Sequence, residues 1–481
     1  MTGWLILGMV VSQLVILFGF VLVERRDPNA TLAWILGVVL VPVLGILLYL
    51  LFGLQRTIKR HKMAERVSRQ MRTVYHRWKV AQKARGQGTA RLPPRTRALA
   101  ELGLHASGSY ACPGNEVGLL IDGAQTYAAM RDVIESAKHH VHVEFYIVQP
   151  DETGRGLRDI LVERAKAGVE VRVLCDALGS FRLPSDFWAP LIAAGGKAAF
   201  FAPIRLAPRF RRRDHVNFRN HRKIVVIDGR IGLTGGINIG REYLGLDPKI
   251  GAWRDTHMRI EGAAVLGLQQ TFAEDWLQTT DELLDDERYF PEPNDVAPGD
   301  AVVQAIASGP DRPWAVIHQL HFLAITQAQQ RVWLTTPYFV PDRVLTAALV
   351  TAALRGIDVR VLVPRRSDNR LVDWASRYYF PELLAAGVRI YEYDAGFLHA
   401  KSMVVDDWLS AVGSANMDVR SFKLNYELTA FVYGQTAALS LARQYHLDLV
   451  HARPVDRDYE RKLSHFRRIL HNFAGLLSPL L

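Results

Sequence analysis

Cysteine is almost missing from this chain: Cys112 and Cys175 are the two thiols in 481 residues. A disulfide framework is thereby excluded, and so sparse a usage fits a reducing compartment. Cys175 sits in an apolar, strand-like run, where a packed thiol is expected. No cysteine pair or helical His-x-x-x-His stands near His140, His142 and Glu144, which alternate along one predicted strand. Strand packing is therefore favoured over a metal site at those three, and His257 is read the same way. Charge is missing from Met1 to Val23 and again from Pro28 to Gln55, which excludes an ordinary solvated start. Acid is missing from the stretch that follows: Arg56 to Arg97 holds fourteen Lys or Arg against Glu65 alone. That excess is larger than the whole chain's net charge of +11, so the remainder is slightly acidic. The basic charge is a local patch.

Each uncharged run reaches the roughly 20 residues that cross a bilayer core. The connector Glu24-Arg25-Arg26-Asp27 is short, so residues 1–55 are expected to form a transmembrane helical hairpin. A cleaved signal sequence is disfavoured by the lack of a basic start. The positive-inside bias then puts the basic segment, and the large C-terminal part after it, on the cytoplasmic side. Residues 56–109 read as a basic juxtamembrane helix and linker, with Met63, Val67, Met71, Val74 and Trp78 three or four apart. Beside a membrane, such a helix is drawn to anionic lipid headgroups, and nucleic acid is not expected as a partner. The tail, 456–481, mixes Arg461, Lys462, Arg467 and Arg468 with Leu463, Phe466, Leu470 and Phe473. It is either an amphipathic helix at the lipid boundary or a terminal helix packed on the core.

Between these ends the chain repeats itself. A strand over His140–Ile147, a helix over Gly154–Ala167 and a strand over Gly168–Leu174 are expected in the first half. The second half offers Arg331–Thr336, Val344–Leu354 and Gly356–Leu362 in the same order, and "GVEVRVL" matches "GIDVRVL" almost letter for letter. Alternating strands and helices predict an α/β fold with largely buried sheets. The two α-β-α domains are placed at 110–295 and 296–455, joined in the polar stretch from Phe290 to Asp300.

Each half carries one copy of His-x-Lys-x-x-x-x-Asp: His221, Lys223 and Asp228, then His399, Lys401 and Asp406. An Asn follows each His at the same distance, Asn238 and Asn416. Packed together, the two copies would bring two imidazoles and two ammonium groups into one pocket between the halves, which suits a phosphodiester. The lysines would offset its negative charge, the asparagines would donate neutral hydrogen bonds, and one imidazole would attack phosphorus. The six motif residues are the candidate catalytic set. Asp228 and Asp406 each end a strand at a turn, so a structural role is favoured for them. The extra length of the first half holds Arg205, Arg209, Arg211, Arg212, Arg213 and Arg219; Arg219 and Arg222, flanking His221, are candidates for gripping an anionic headgroup.

The doubled motif, in the contexts "NHRKIVVIDG" and "LHAKSMVVDD", resembles the phospholipase D superfamily over roughly residues 110–455. "RRDPNATLAW", "GGINIGREY" and "GSANMDVRSFKLNYE" narrow the resemblance to the bacterial cardiolipin synthase family. That resemblance implies two phospholipase D-like domains with the active site at their interface, in a multi-pass protein of the bacterial inner membrane. It implies transfer of a phosphatidyl group from one phosphatidylglycerol to another, with release of glycerol, without a cofactor or metal ion. Hydrolysis or another phosphatidyl transfer uses the same chemistry, and a homo-oligomer is left open. By the same analogy His221 is the nucleophile and His399 the acid and base. Each histidine should have a carboxylate on its second ring nitrogen. Asp255 is expected to serve His221, and Glu427 to serve His399, each acid following its own motif in the chain.

Overall fold

The computed structural model describes residues 28–49, 92–203, 217–248, 250–292 and 299–478, with positions 4, 8, 10–13 and 15 ahead of them. The first half contains β1 (Cys112–Ile121), β2 (His140–Phe145), β3 (Glu170–Asp176), β4 (Lys197–Phe201), β5 (Ile224–Ile227), β6 (Ile231–Gly235), β7 (Trp253–Arg254) and β8 (Thr256–Glu261). The second contains β9 (Ala301–Ser308), β10 (Arg331–Thr335), β11 (Phe339–Val340), β12 (Asp358–Pro364), β13 (Arg389–Tyr393), β14 (Phe397–Leu398), β15 (Ser402–Val405), β16 (Leu409–Gly413), β17 (Met417–Asp418), β18 (Glu427–Tyr433) and β19 (Ala452–Pro454). Fifteen of these strands form one sheet. Outward from its central β1–β9 seam the order is β1-β8-β6-β5-β2-β3-β4 on one side and β9-β18-β16-β15-β10-β12-β13-β19 on the other. The repeat seen in the sequence is thus a repeat of topology, with β19 as an added edge.

Within each half, a parallel trio (β2-β3-β4 and β10-β12-β13) meets an antiparallel motif strand, β5 or β15. The crossover helices explain the parallel pairs. Helix Glu152–Lys166 starts at Asp151, whose carboxylate accepts from the Gly154 amide, and buries Leu157, Leu161, Val162 and Ala165. Its counterpart, Arg343–Leu354, starts at Asp342, which accepts from the Leu345 amide, and buries Leu345, Leu349 and Ala352. With helices against the sheet, strands such as β2, β5 and β18 are buried along their whole length, the expected state of covered strands. One core cluster draws Ile224, Val226, Met258 and Ile260 from the first half and Val404, Val412, Leu428 and Val432 from the second. At about 1.5–3 kcal/mol per buried aliphatic side chain, this shared core holds the halves together as one body. Cys112 and Cys175 are both buried free thiols.

The motif aspartates stand at the far end of their strands from the histidines. Asp228 and Asp406 adopt left-handed backbone, φ 53° and 51°, a conformation Asp tolerates better than most residues. Asp228 accepts the amides of Lys138, His139 and His140 at 2.9, 2.8 and 2.8 Å. Asp406 accepts those of Gln329, Gln330 and Arg331 at 3.1, 2.7 and 3.0 Å. Each carboxylate thereby ties the motif hairpin to the start of β2 or β10. They belong to the scaffold, and their place in the candidate catalytic set is corrected on that ground.

The N-terminal expectation is met differently in the part described. Helix Pro28–Leu40 gives way at Val41 to a second helix, Pro42–Leu48. Proline lacks the amide that a continuous helix needs and biases the preceding residue toward extended backbone. The two pieces fold against each other: Gly45 lies on the Gly37 carbonyl, leaving no room for a Cβ, and Trp34 meets Tyr49 edge-on at 5.3 Å. Among the described residues no helix is long and apolar enough to cross a membrane. Most of the first apolar run, the basic segment through Trp78 and the arginines from Arg205 to Arg213 lie outside the described residues. In the tail, helix His465–Leu476 buries His471 and Ala474, while Phe466, Ile469, Phe473 and Leu476 are exposed.

Asp228→Ala and Asp406→Ala should each cost about 2–4 kcal/mol, because buried amides lose their acceptor. Thermal unfolding would measure the loss, and the folded fraction should keep its turnover within a few-fold.

Candidate active site

Backbone pairing decides where the motif histidines point. His221 and Lys223 precede β5, and His399 and Lys401 precede β15. Each of these segments pairs with the opposite half. The His221 amide donates to the Tyr426 carbonyl at 2.9 Å, and the Tyr426 amide to Arg219 at 2.9 Å. The His399 amide donates to Arg254 at 2.7 Å, continuing the parallel β14–β7 ladder in which Phe397 faces Trp253. Tyr426 and Arg254 immediately precede the two candidate acids. Consequently the acids cross over: His221 Nδ1 lies 3.1 Å from each Glu427 oxygen, and His399 Nδ1 lies 2.8 Å from Asp255 Oδ2. The expected partners are exchanged. Chain order put Asp255 with His221, but the pairing between halves gives each imidazole a carboxylate from the other half.

Both acids are fully buried and held in place. Glu427 accepts from Ser414 Oγ at 2.5 Å and Asn425 Nδ2 at 3.2 Å. Asp255 accepts from the Thr256 amide at 2.7 Å, and its carboxylate fills the space a Cβ on Gly236 would take. With Nδ1 engaged, each ring keeps Nε2 for chemistry. The two histidines line one cavity of about 910 Å³, together with Asn238, Asn416, Tyr146, Tyr338, Tyr243 and Trp253. Asn238 donates to the Tyr243 hydroxyl at 2.9 Å and accepts from the Ile147 amide at 3.2 Å, whereas Asn416 Oδ1 has no partner among the described residues. Lys223 Nζ donates to the His221 carbonyl at 2.6 Å, and Lys401 Nζ donates to that of His399.

The flanking arginines behave differently from expectation. Arg219 reaches the cavity wall but is 2.9 Å from the buried Asp176 carboxylate. Arg222 points away and is buried between Asp275 and the carbonyls of Glu427 and Ser308, at 3.2 and 3.1 Å for the carbonyls. It clamps the two halves together. Glu144 and His142 pack behind the site: Asn220 Nδ2 donates to Glu144 at 2.5 Å, and His142 stacks on Phe272.

Burial and like charge set the electrostatics. Burial chiefly, aided by Lys401, pushes His399 down to about 3 despite Asp255. His221 is lowered for the same first reason, with Glu427 opposing it. Lys223 falls to about 7 and Lys401 to about 8, mainly by burial, while the carboxylates pull both back up. Each lysine is felt by the other half's histidine. Burial thus disfavours the charged forms of both imidazoles and both lysines, and an anion beside them would favour those forms.

Several lining residues escaped the sequence reading. Tyr146 stands edge-on to His221 at 5.0 Å, and Tyr338 lines the same cavity. Their signal was present, since "YIV" and "YFV" follow the equivalent strands β2 and β10 of the two halves. Trp253 and Phe397 lie 5.1 and 5.9 Å from His399, and only the β7–β14 pairing brings them together.

A pseudo-symmetric α/β scaffold with two crossed His–carboxylate pairs and two buried lysines defines a phosphodiester-directed enzyme built from a duplicated half. Comparison with known proteins agrees. The family described as cardiolipin synthase, phospholipase D-like domain, matches residues 130–276 and 322–448, and an N-terminal phospholipase D-nuclease family matches 10–53. The cardiolipin synthase of Geobacillus thermodenitrificans is 43% identical over 479 residues, covering 99% of this chain and 94% of its own. That of Alkalihalophilus pseudofirmus is 39% identical over 488 residues, covering 100% and 95%. The phosphatidylserine synthase of Haemophilus influenzae shares the fold, with TM-score 0.59 and 17% identity over 80% of this chain and 100% of that one. The chain belongs to the phospholipase D-like cardiolipin synthase family.

Glu427→Gln should alter the tautomer and ¹⁵N shifts of His221 while leaving those of His399 in place, and Asp255→Asn the reverse. Imidazole NMR on selectively labelled protein would read this. Pairing within each half would give the opposite pattern.

Proposed function

We propose that this protein is a membrane-attached phosphatidyltransferase that joins two phosphatidylglycerol molecules into cardiolipin and releases glycerol. The observation that carries the reading is the pair of imidazoles on one cavity, each oriented by a buried carboxylate from the opposite half and each backed by a buried lysine on its own carbonyl. His221 Nε2 attacks the donor phosphorus while Glu427 holds its Nδ1 proton. The P–O bond to glycerol breaks, and the departing oxygen takes a proton from His399. The hydroxyl of a second phosphatidylglycerol then gives its proton to His399, and its oxygen attacks phosphorus. The N–P bond breaks, and neutral His221 is restored.

The lysines supply the charge that a phosphodiester needs, with Asn238 and Asn416 as neutral donors. Binding of that anion also lets the opposite imidazole, with Asp255 behind it, hold a proton that the empty cavity denies it. The apolar N-terminal run, with Leu36, Val39, Leu40, Val43 and Leu44 exposed, would attach the enzyme to the bacterial inner membrane. The basic stretch after it is consistent with a cytoplasmic catalytic body. The exposed Phe466, Ile469 and Phe473 of the tail helix would rest at the lipid boundary.

Purified protein given phosphatidylglycerol alone should yield cardiolipin and glycerol; phosphatidic acid as the main product would make it a hydrolase. His221→Ala and His399→Ala should each lower transfer by about 10³-fold or more, whereas chelators should leave the rate unchanged. His399→Ala should accumulate the phosphatidyl adduct on His221 in rapid-quench mass spectrometry; accumulation in the reverse variant would exchange the roles.

The lysine charges are present below their pKa values and are lost as pH rises through about 7 to 8. Accordingly kcat/KM, which reports the free enzyme, should fall over that interval. The fall in kcat should come at higher pH, because the bound phosphate restores the ammonium forms.

A further inference from the structure

The transfer proposed above brings two phosphodiesters into one cavity, because the acceptor lipid carries its own phosphate that does not react. The paired histidines and lysines serve the reacting phosphorus. The second anion needs cations of its own. We propose that Arg366 and Arg420 form a subsite for the phosphodiester of the acceptor lipid.

Both arginines line the cavity, and both lack a carboxylate partner among the described residues. Their neighbours are neutralised already: Arg219 by Asp176 at 2.9 Å and Arg365 by Asp394 at 2.5 Å. Arg420 is fixed by neutral acceptors alone, donating to Asn217 Oδ1 at 3.2 Å and to its carbonyl at 2.9 Å. A positioned guanidinium whose charge is unspent is suited to an anion that arrives with the substrate. Arg366 makes no hydrogen bond or ion pair among the described residues and sits on the loop between β12 and helix Arg370–Tyr378. The acid on that loop, Asp368, is occupied by the Tyr338 hydroxyl at 2.8 and 2.9 Å. Asp418, also on the wall, caps the Ser421 amide at 2.6 Å.

The walls break the symmetry of the motif. Arg420 lies within electrostatic reach of Tyr146, which itself stands against His221. His399 has two aromatic neighbours, Trp253 and Phe397, where His221 has Tyr146. Two residues before the motif His, the first half has Arg219 and the second has Phe397. Two identical surroundings would suit two equivalent phosphates in turn; unequal ones suit a donor and an acceptor held differently. At about 910 Å³ the cavity is at the upper end of the ~300–1,000 Å³ of single-ligand sites, with room for two headgroups.

The inference rests on the phosphatidyltransferase reading, and one assay separates them. Phosphatidylglycerol vesicles are supplied with radiolabelled glycerol, so two products form from the same phosphatidyl-enzyme. Labelled phosphatidylglycerol reports a neutral acceptor, and cardiolipin reports an anionic one. In Arg366→Gln and in Arg420→Gln, the ratio of cardiolipin to labelled phosphatidylglycerol should fall about tenfold or more, through a raised KM for the acceptor lipid. Arg366→Lys, which keeps the charge, should recover part of it. Misfolding lowers both products together and leaves the ratio alone. A ratio within about twofold of wild type in both Gln variants overturns the subsite. A wild-type enzyme that exchanges glycerol yet makes no cardiolipin overturns the transferase reading, and the subsite falls with it.

Discussion

Every functional feature of this molecule depends on the crossed pairing of histidine and carboxylate between halves. His221 is held by Glu427 and His399 by Asp255, so neither half owns a complete site. The crossing is a consequence of main-chain hydrogen bonds at Tyr426 and Arg254, which splice each motif segment onto the other half one residue ahead of its acid. Arg222 reinforces the splice from the first half by binding the carbonyls of Glu427 and Ser308 in the second. The shared core supplies the bulk of the adhesion. The polar contacts fix the register, and that register brings the two imidazoles onto one cavity.

Burial does the rest of the chemical preparation. Two lysines and two histidines removed from water cannot all be charged, and the lowered values at Lys223, Lys401 and His399 express that conflict. Asp255 and Glu427 relieve part of it; burial alone would raise their pKa values, but the neighbouring lysines and histidines, the Thr256 amide and the Ser414 hydroxyl hold them below the usual range. A phosphodiester placed beside this cluster would favour the charged forms of its lysines and histidines.

The motif's third member has a different task. Asp228 and Asp406 sit at the opposite end of the motif strands, each gathering three amides in a left-handed turn. They keep β5 and β15 in register with β2 and β10, and so keep the histidine ends of those strands in place. Duplication preserved this scaffold in both halves while the cavity walls diverged. Trp253 and Phe397 flank His399, whereas Tyr146 stands against His221 with Arg420 within its electrostatic reach.

The sequence by itself determined the repeat, the order of strands and helices in each half, the identity of the motif residues and the two acids. Those features are local: apolar alternation and spacing counted along the chain. It also marked the structural role of Asp228 and Asp406, because a strand-ending Asp is legible as a turn. Which acid meets which histidine was decided only by tertiary structure, since the bonds that cross the halves join residues 206 and 144 positions apart. The same holds for Arg222, whose charge looked like a headgroup clamp until Asp275 and two distant carbonyls enclosed it. The break at Pro42 was readable as a residue, but the folding of Gly45 onto Gly37 was not, because close approach of two helices depends on geometry that no single run of residues encodes.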